Sequence, residues 1–176
     1  MGISVEAIKE LRRISLASIS DCKDALKDAA GDIQKAVELL RRRGLEIAAK
    51  KQDRVAREGR IESYVHHGNK LGVLLEVDCE TDFVARNEEF SQFTKDIAMQ
   101  IAACNPLYVK QEDIPADLMK DLKIDEKELY VKTHCLLEQP FIKDTSIIIK
   151  DYLGSLIAKI GENVVIRRFM RYKIGE

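Results

Sequence analysis

Near residue 59 the spacing of apolar side chains changes from three or four residues to two, and this switch divides the chain into a helical part and a strand-based part. Before it, Val5, Ile8, Leu11 and Ile14 recur every third residue, and Cys22, Ala25, Leu26 and Ala29 form a second stripe. Ile33, Ala36, Val37 and Leu40 form a third, with Gly31 placed to close the second helix and Asp32 to cap the third. Stripes this close in sequence bury one another as a three-helix bundle, too small to enclose chemistry and suited to docking. Leu45 to Arg60 is rich in Ala, Lys, Arg, Asp and Glu and is predicted to be a solvated helical connector. The predicted domains are therefore 1–55, bundle and basic connector, and 56–176, a core.

Beyond Gly59, Ile61, Ser63 and Val65 alternate with Glu62, Tyr64 and His66. Leu71, Val73, Leu75 and Val77 repeat the pattern, and Gly68-Asn69 between them matches a two-residue hairpin turn. Phe90, Phe93, Ile97, Ile101 and Cys104 predict a helix that Asn105-Pro106 ends. Leu107 to Val109 reads as a short strand, 111–127 as an exposed acidic excursion, and Leu129 to Leu137 and Ile147 to Ile149 as extended. Leu153, Leu156, Ile157 and Ile160 line a last helix closed by Gly161. In the final strand Val164, Ile166, Met170, Tyr172 and Ile174 share a face, with Arg168 the polar exception. The order predicts an α+β fold: a mixed or antiparallel sheet covered on one side by helices.

With 29 basic and 30 acidic side chains the net charge is -1, which supplies no long-range field for nucleic acid or anionic membrane. The apolar runs are short, and the first twenty residues lack a signal-peptide core, so a cytosolic protein with no membrane partner is expected. Cys22, Cys79, Cys104 and Cys135 are widely spread and read as small, mostly buried hydrophobes, with neither a disulfide framework nor a zinc site. His134 and Cys135, as strand neighbours, face opposite ways and make a poor thiol catalyst; His66 and His67 beside the hairpin lack a third ligand at metal spacing. No phosphate loop, dinucleotide turn or nucleophile elbow is present, so neither enzyme activity nor a cofactor is expected. Arg41, Arg42, Arg43, Lys50, Lys51, Arg54, Arg57 and Arg60 make a basic stretch read as solvated helix faces; a ribosome-associated or RNA-binding role for it is the alternative function.

The candidate site is Asp78 to Asn87 (DCETDFVARN), between a strand and a helix. A rigid aromatic beside a charge is the make-up of an interface hot spot. Periodicity favours the plainer reading, in which Phe83 shares parity with Cys79 and points into the core while Thr81 and Asp82 cap the next helix.

This segment, together with Ile8 to Leu26 (IKELRRISLASISDCKDAL), Ala48 to Gly59 (AAKKQDRVAREG), Gln139 to Asp144 (QPFIKD) and Lys159 to Phe169 (KIGENVVIRRF), closely resembles the translation elongation factor Ts family, in its short form. The resemblance implies a bundle like that of ubiquitin-associated domains, an α+β core, and guanine nucleotide exchange on elongation factor Tu, bound with GDP or nucleotide-free. It also overturns the plainer reading of Phe83. By the same resemblance, Thr81, Asp82, Phe83 and Val84 intrude near the partner's magnesium site, and Arg12, Ile19, Ser20, Lys23 and Lys51 meet its G domain. The resemblance further implies that the protein itself binds no nucleotide and that two copies pair through their sheets as a homodimer. Ser15 to Asp21 (SLASISD) replaces the family's Thr-Gly-Ala-Gly-Met-Met-Asp, losing both glycines and leaving a hydroxyl at position 20. A helical stretch usual before Leu136 is absent, with Leu122 to Lys127 in its place.

Overall fold

The computed structural model describes residues 3–15, 17–120 and 122–176. The chain forms two compact units: Met1–Val55 with Asp151–Val164, and Ala56–Lys150 with Val165–Glu176. The stretch 151–164 groups with the N-terminal helices although sequence order assigned it to the core.

In the first unit, α1 (Val5–Ser15), α2 (Ile19–Asp28) and α3 (Ile33–Lys51) bury Leu11, Cys22, Ala25, Leu26, Ala29, Ala36 and Leu40 together. Small residues dominate that list and let the three helices approach closely. Local chemistry sets the boundaries: Asp32 accepts the Lys35 amide at 3.1 Å and starts α3, while the Gly31 amide, at φ +89°, reaches back to the Leu26 carbonyl and ends α2.

In the second unit, β1 (Glu58–Val65) and β2 (Leu71–Cys79) pair antiparallel, with Ile61 opposite Glu76 and Tyr64 opposite Val73. Their connection is longer than the two-residue turn expected from Gly68-Asn69. The His66 amide bonds the Leu71 carbonyl, and positive φ at both Gly68 and Asn69 shapes the four residues between. After β2 come a single turn, α4 (Asp82–Ala85), and the long helix α5 (Glu88–Cys104). Phe90, Phe93, Ile97 and Ile101 of α5 and Val73, Leu75, Val77 and Cys79 of β2 are buried, and α5 packs on this sheet. Asn105 ends α5 in the left-handed region, φ 46°.

The next stretch departs from expectation. Where extended chain was predicted over Leu129 to Leu137, α6 (Ala116–Lys120) is followed by α7 (Ile124–His134). Leu129, Val131 and Thr133 alternate as a strand would, but local interactions hold the helix: Glu126 accepts the Lys123 amide at 2.8 Å, and the Tyr130 and His134 rings stack at 4.2 Å, one turn apart. Only Cys135 is extended, bridging in parallel to Tyr108, which is what remains of the expected 107–109 strand, and Leu136–Glu138 follows as a short 3-10 turn.

A single mixed sheet was also expected, and the strands form two. In one, β5 (Val164–Lys173) lies beside β2, giving the order β1-β2-β5; in the other, β3 (Pro140–Phe141) pairs with β4 (Asp144–Ile148). The small hairpin is fastened to α5 by the fully buried Gln100. Its Nε2 donates to the Pro140 carbonyl at 3.1 Å and its Oε1 accepts the Ile142 amide at 2.9 Å. Between β4 and β5 the chain forms α8 (Ile149–Ile160). No helix among the described residues is long and apolar enough to cross a membrane.

Candidate functional site: an aromatic turn after β2

β2 ends at Cys79, and from there the chain turns instead of continuing straight. The Cys79 thiol donates to the Thr81 carbonyl at 3.1 Å. Thr81, in extended conformation, presents Oγ1 to the Val84 amide at 3.5 Å as the N-cap of α4. The Arg86 amide returns to the Asp82 carbonyl, and the Asn87 side chain, accepting the Glu89 amide at 2.7 Å, starts α5. Two caps in succession thus define one helical turn between strand and helix.

That turn presents Phe83 outward. The residue is 83% exposed, whereas Thr81, Asp82 and Val84 are half-buried. The strand parity that placed Phe83 with Cys79 no longer applies, because the alternation stops where the Thr81 cap redirects the backbone. Beside the ring, Asp82 Oδ2 accepts Arg86 Nη2 at 2.8 Å; further back, Asp78 holds Arg167 at 2.7 Å and Glu76 holds Arg168 at 2.5 Å. A phenylalanine in water forgoes about 2 kcal/mol of burial, so a capped turn that keeps it there is suited to delivering the ring to another surface.

In the first unit, Arg12, Ile19, Ser20 and Lys23 are all exposed, with Ile19 and Lys23 one turn apart on α2. The loop that lost both glycines is closed by serines: Ser15 Oγ donates to the Leu11 carbonyl at 2.8 Å, and Ser18 Oγ accepts the Asp21 amide at 3.1 Å. Leu16 of that loop lies outside the described residues. Lys51 is half-buried, and its ammonium donates to the Gly161 carbonyl at 2.6 Å, so these two positions, distant in sequence, meet. Three arginines of the basic stretch pair with carboxylates of the chain: Arg41 with Glu38 and Asp151, Arg42 with Glu46, and Arg43 with Asp28. Burial raises the Cys135 thiol above its ordinary value, and His134 Nδ1 lies 3.0 Å from the Tyr130 carbonyl.

An apolar outer sheet face was not expected: the spacing placed Met170, Tyr172 and Ile174 with Val164 and Ile166, and only the last two are buried. Ile61, Val65, Leu74, Met170 and Tyr172 are each at least half exposed, while the face towards α5 carries Val73, Leu75 and Val77. The signal was present in β2, where Leu74 interrupts a polar row with an apolar residue on the side away from the core.

Fold and site together define an α+β protein with a helical unit and an outward aromatic turn. A family model described as "Elongation factor TS" matches residues 4–129. Proteins named "Elongation factor Ts" align along nearly the whole chain. The one from Carboxydothermus hydrogenoformans is 48% identical over 195 residues, covering 99% of this chain and 90% of the relative. That from Caldanaerobacter subterraneus is also 48% identical, with 99% and 98% covered; that from Synechococcus sp. is 47% identical, with 100% and 77% covered. These alignments exceed the 176 residues of the chain, so the relatives carry residues that it lacks. The chain belongs to the elongation factor Ts family, and its role lies in translation elongation.

Proposed function

We propose that this protein is a guanine nucleotide exchange factor that acts in the bacterial cytoplasm by binding elongation factor Tu and accelerating GDP release, with no bond made or broken. The supporting observation is the 83% exposure of Phe83 on a turn capped at both ends, in a chain of this family. Thr81 and Val84 anchor the turn; Phe83 enters the partner, and Asp82 brings negative charge towards its magnesium site. Bound GDP owes much of its affinity to phosphate contacts and the ion bridging them, so displacing the ion removes a large electrostatic contribution. Exposed Arg12, Ile19, Ser20 and Lys23 dock the G domain. By linkage, weakening of GDP by this protein implies equal weakening of this protein by GDP, a coupling of about 1–3 kcal/mol in typical cases, and incoming GTP then completes the cycle.

The alternative, RNA binding through the basic stretch, has less support, since Arg41, Arg42 and Arg43 each pair with a carboxylate of the chain. Stopped-flow release of fluorescent GDP from elongation factor Tu tests the exchange reading. The protein should accelerate release strongly and Phe83→Ala only weakly, with identical circular dichroism; equal rates from both would remove the aromatic from the mechanism.

The outer face of the three-stranded sheet supports a second copy of the chain as a further partner, since Ile61, Val65, Leu74, Met170 and Tyr172 offer apolar area that a dimer would cover. Sedimentation at micromolar concentration should return a dimer; a monomer with full exchange activity would exclude it.

A further inference from the structure

Helices α3 and α8 of the first unit meet along matched positions. Arg41 Nη1 lies 3.5 Å from Asp151 Oδ2, Gly44 backs onto Gly154, Lys51 Nζ donates to the Gly161 carbonyl at 2.6 Å, and Asn163 Nδ2 donates to the carbonyls of Gln52 at 3.3 Å and Arg54 at 2.8 Å. These rungs advance together along both helices, so α3 and α8 run parallel. A Cβ added at Gly44 would stand 3.3 Å from the Gly154 backbone, which is why the two backbones can come this close.

Parallel neighbours place both negative helix ends side by side, with carbonyls that lack amide partners. The chain at each helix end donates to the segment that follows the other helix. Lys51, the last residue of α3, brings its ammonium to the end of α8, where Gly161 turns the chain at φ +77°. Asn163, just beyond α8 and only 4% exposed, returns two N–H donors to the carbonyls that follow α3. The chain passes from the first unit to the second after Val55 and again after Val164, immediately beyond these contacts. These contacts therefore grip both exits.

We propose that Asn163 and Lys51 are positioning residues for exchange: by tying together the segments that follow α3 and α8 they hold the two chain exits together, so that docking through the bundle is transmitted to the Thr81–Val84 turn. This rests on the exchange reading above. Lys51 then acts chiefly through α8 and less by touching the G domain, and the two roles are separable. A lost partner contact raises the half-saturating concentration, whereas a loosened clasp lowers the plateau rate.

The experiment is stopped-flow release of fluorescent GDP from elongation factor Tu across a range of concentrations of the full chain, with Asn163→Ala, Lys51→Met and Lys51→Arg, alongside amide hydrogen exchange over residues 52–56. Asn163→Ala and Lys51→Met should each lower the plateau by about tenfold, within the range for a substitution that weakens coupling between two sites without touching a ligand, with half-saturation little changed. Lys51→Arg, which keeps the donor, should restore it, and protection over 52–56 should fall in the first two variants. If Asn163→Ala melts below the assay temperature, the lysine pair decides. Plateau and protection both at wild-type level would overturn the clasp, as would a Lys51→Met defect confined to half-saturation. A wild-type protein that fails to accelerate release defeats the exchange reading itself, a result distinguishable from all of these.

Discussion

Arg86 holds Asp82 at 2.8 Å across the one turn of α4, so the acid beside the exposed ring already has a cation of its own chain. The arginine is 80% exposed and the aspartate 47%, which makes the pair worth no more than about 0.5 kcal/mol in stability. Its consequence is orientation. Arg86→Ala should leave the melting temperature nearly unchanged and alter exchange by a few-fold, whereas Asp82→Ala should cut exchange more deeply because the charge itself is gone. Fluorescent GDP release and thermal melts on the same preparations check both, and equal effects would show that the acid has no role beyond its partner.

Gly44 and Gly154 give a stability test independent of the partner. A valine at Gly44 would push branched carbons into the Gly154 backbone, which stands 3.3 Å from the position of a first carbon. Overpacking of this kind costs about 1–3 kcal/mol. The better helix propensity of the new residue offsets only a few tenths of that. Urea denaturation of Gly44→Val should show a lower midpoint with an unchanged slope; an unchanged midpoint would mean that the crossing is looser than the backbone distances indicate.

How far these features were legible in the sequence differs between elements. The β2 stripe was readable because Val73, Leu75 and Val77 are buried on one side, and the start of α3 because Asp32 caps by local chemistry. α7 was not, since its alternating Leu129, Val131 and Thr133 resemble a strand and none of its residues is buried to mark a stripe. Phe83 is the instructive case. Parity placed it in the core, and only the resemblance placed it outside; the physical reason is that Thr81 ends the strand periodicity two residues earlier. The Lys51–Gly161 and Asn163–Arg54 contacts join positions about a hundred residues apart and leave no local pattern to read.

The Asp32 cap sets a pH dependence. The Lys35 amide stabilises the charged carboxylate and holds its pKa below the ordinary value of 3.8. A group with a lowered folded-state pKa stabilises the fold fully above its unfolded value and loses that contribution as pH falls through the folded one. The melting-temperature gap between wild type and Asp32→Ala should therefore be steady from neutral pH down to about pH 5 and narrow only on further acidification. Asp32→Asn, which caps without a charge, should melt close to wild type at neutral pH. A gap that widens in acid would contradict the cap.

Thiol reactivity should report the packing of both units. All four cysteines are free, and Cys22, Cys79 and Cys135 are fully buried while Cys104, at the end of α5, is half-buried. Burial raises the Cys22, Cys104 and Cys135 thiols above their ordinary value of 9.0, so little thiolate exists at pH 8. A disulfide reagent at that pH should modify Cys104 first and slowly, and reach the others only when urea unfolds the chain. The stability contribution of these thiols is constant below about pH 9; above it the unfolded chain ionises more readily than the folded one, so the urea midpoint should fall as pH rises. Mass spectrometry of the first-labelled peptide decides the order, and early labelling at Cys22 would show that the small alanine-rich core of α1 to α3 opens more readily than its burial implies.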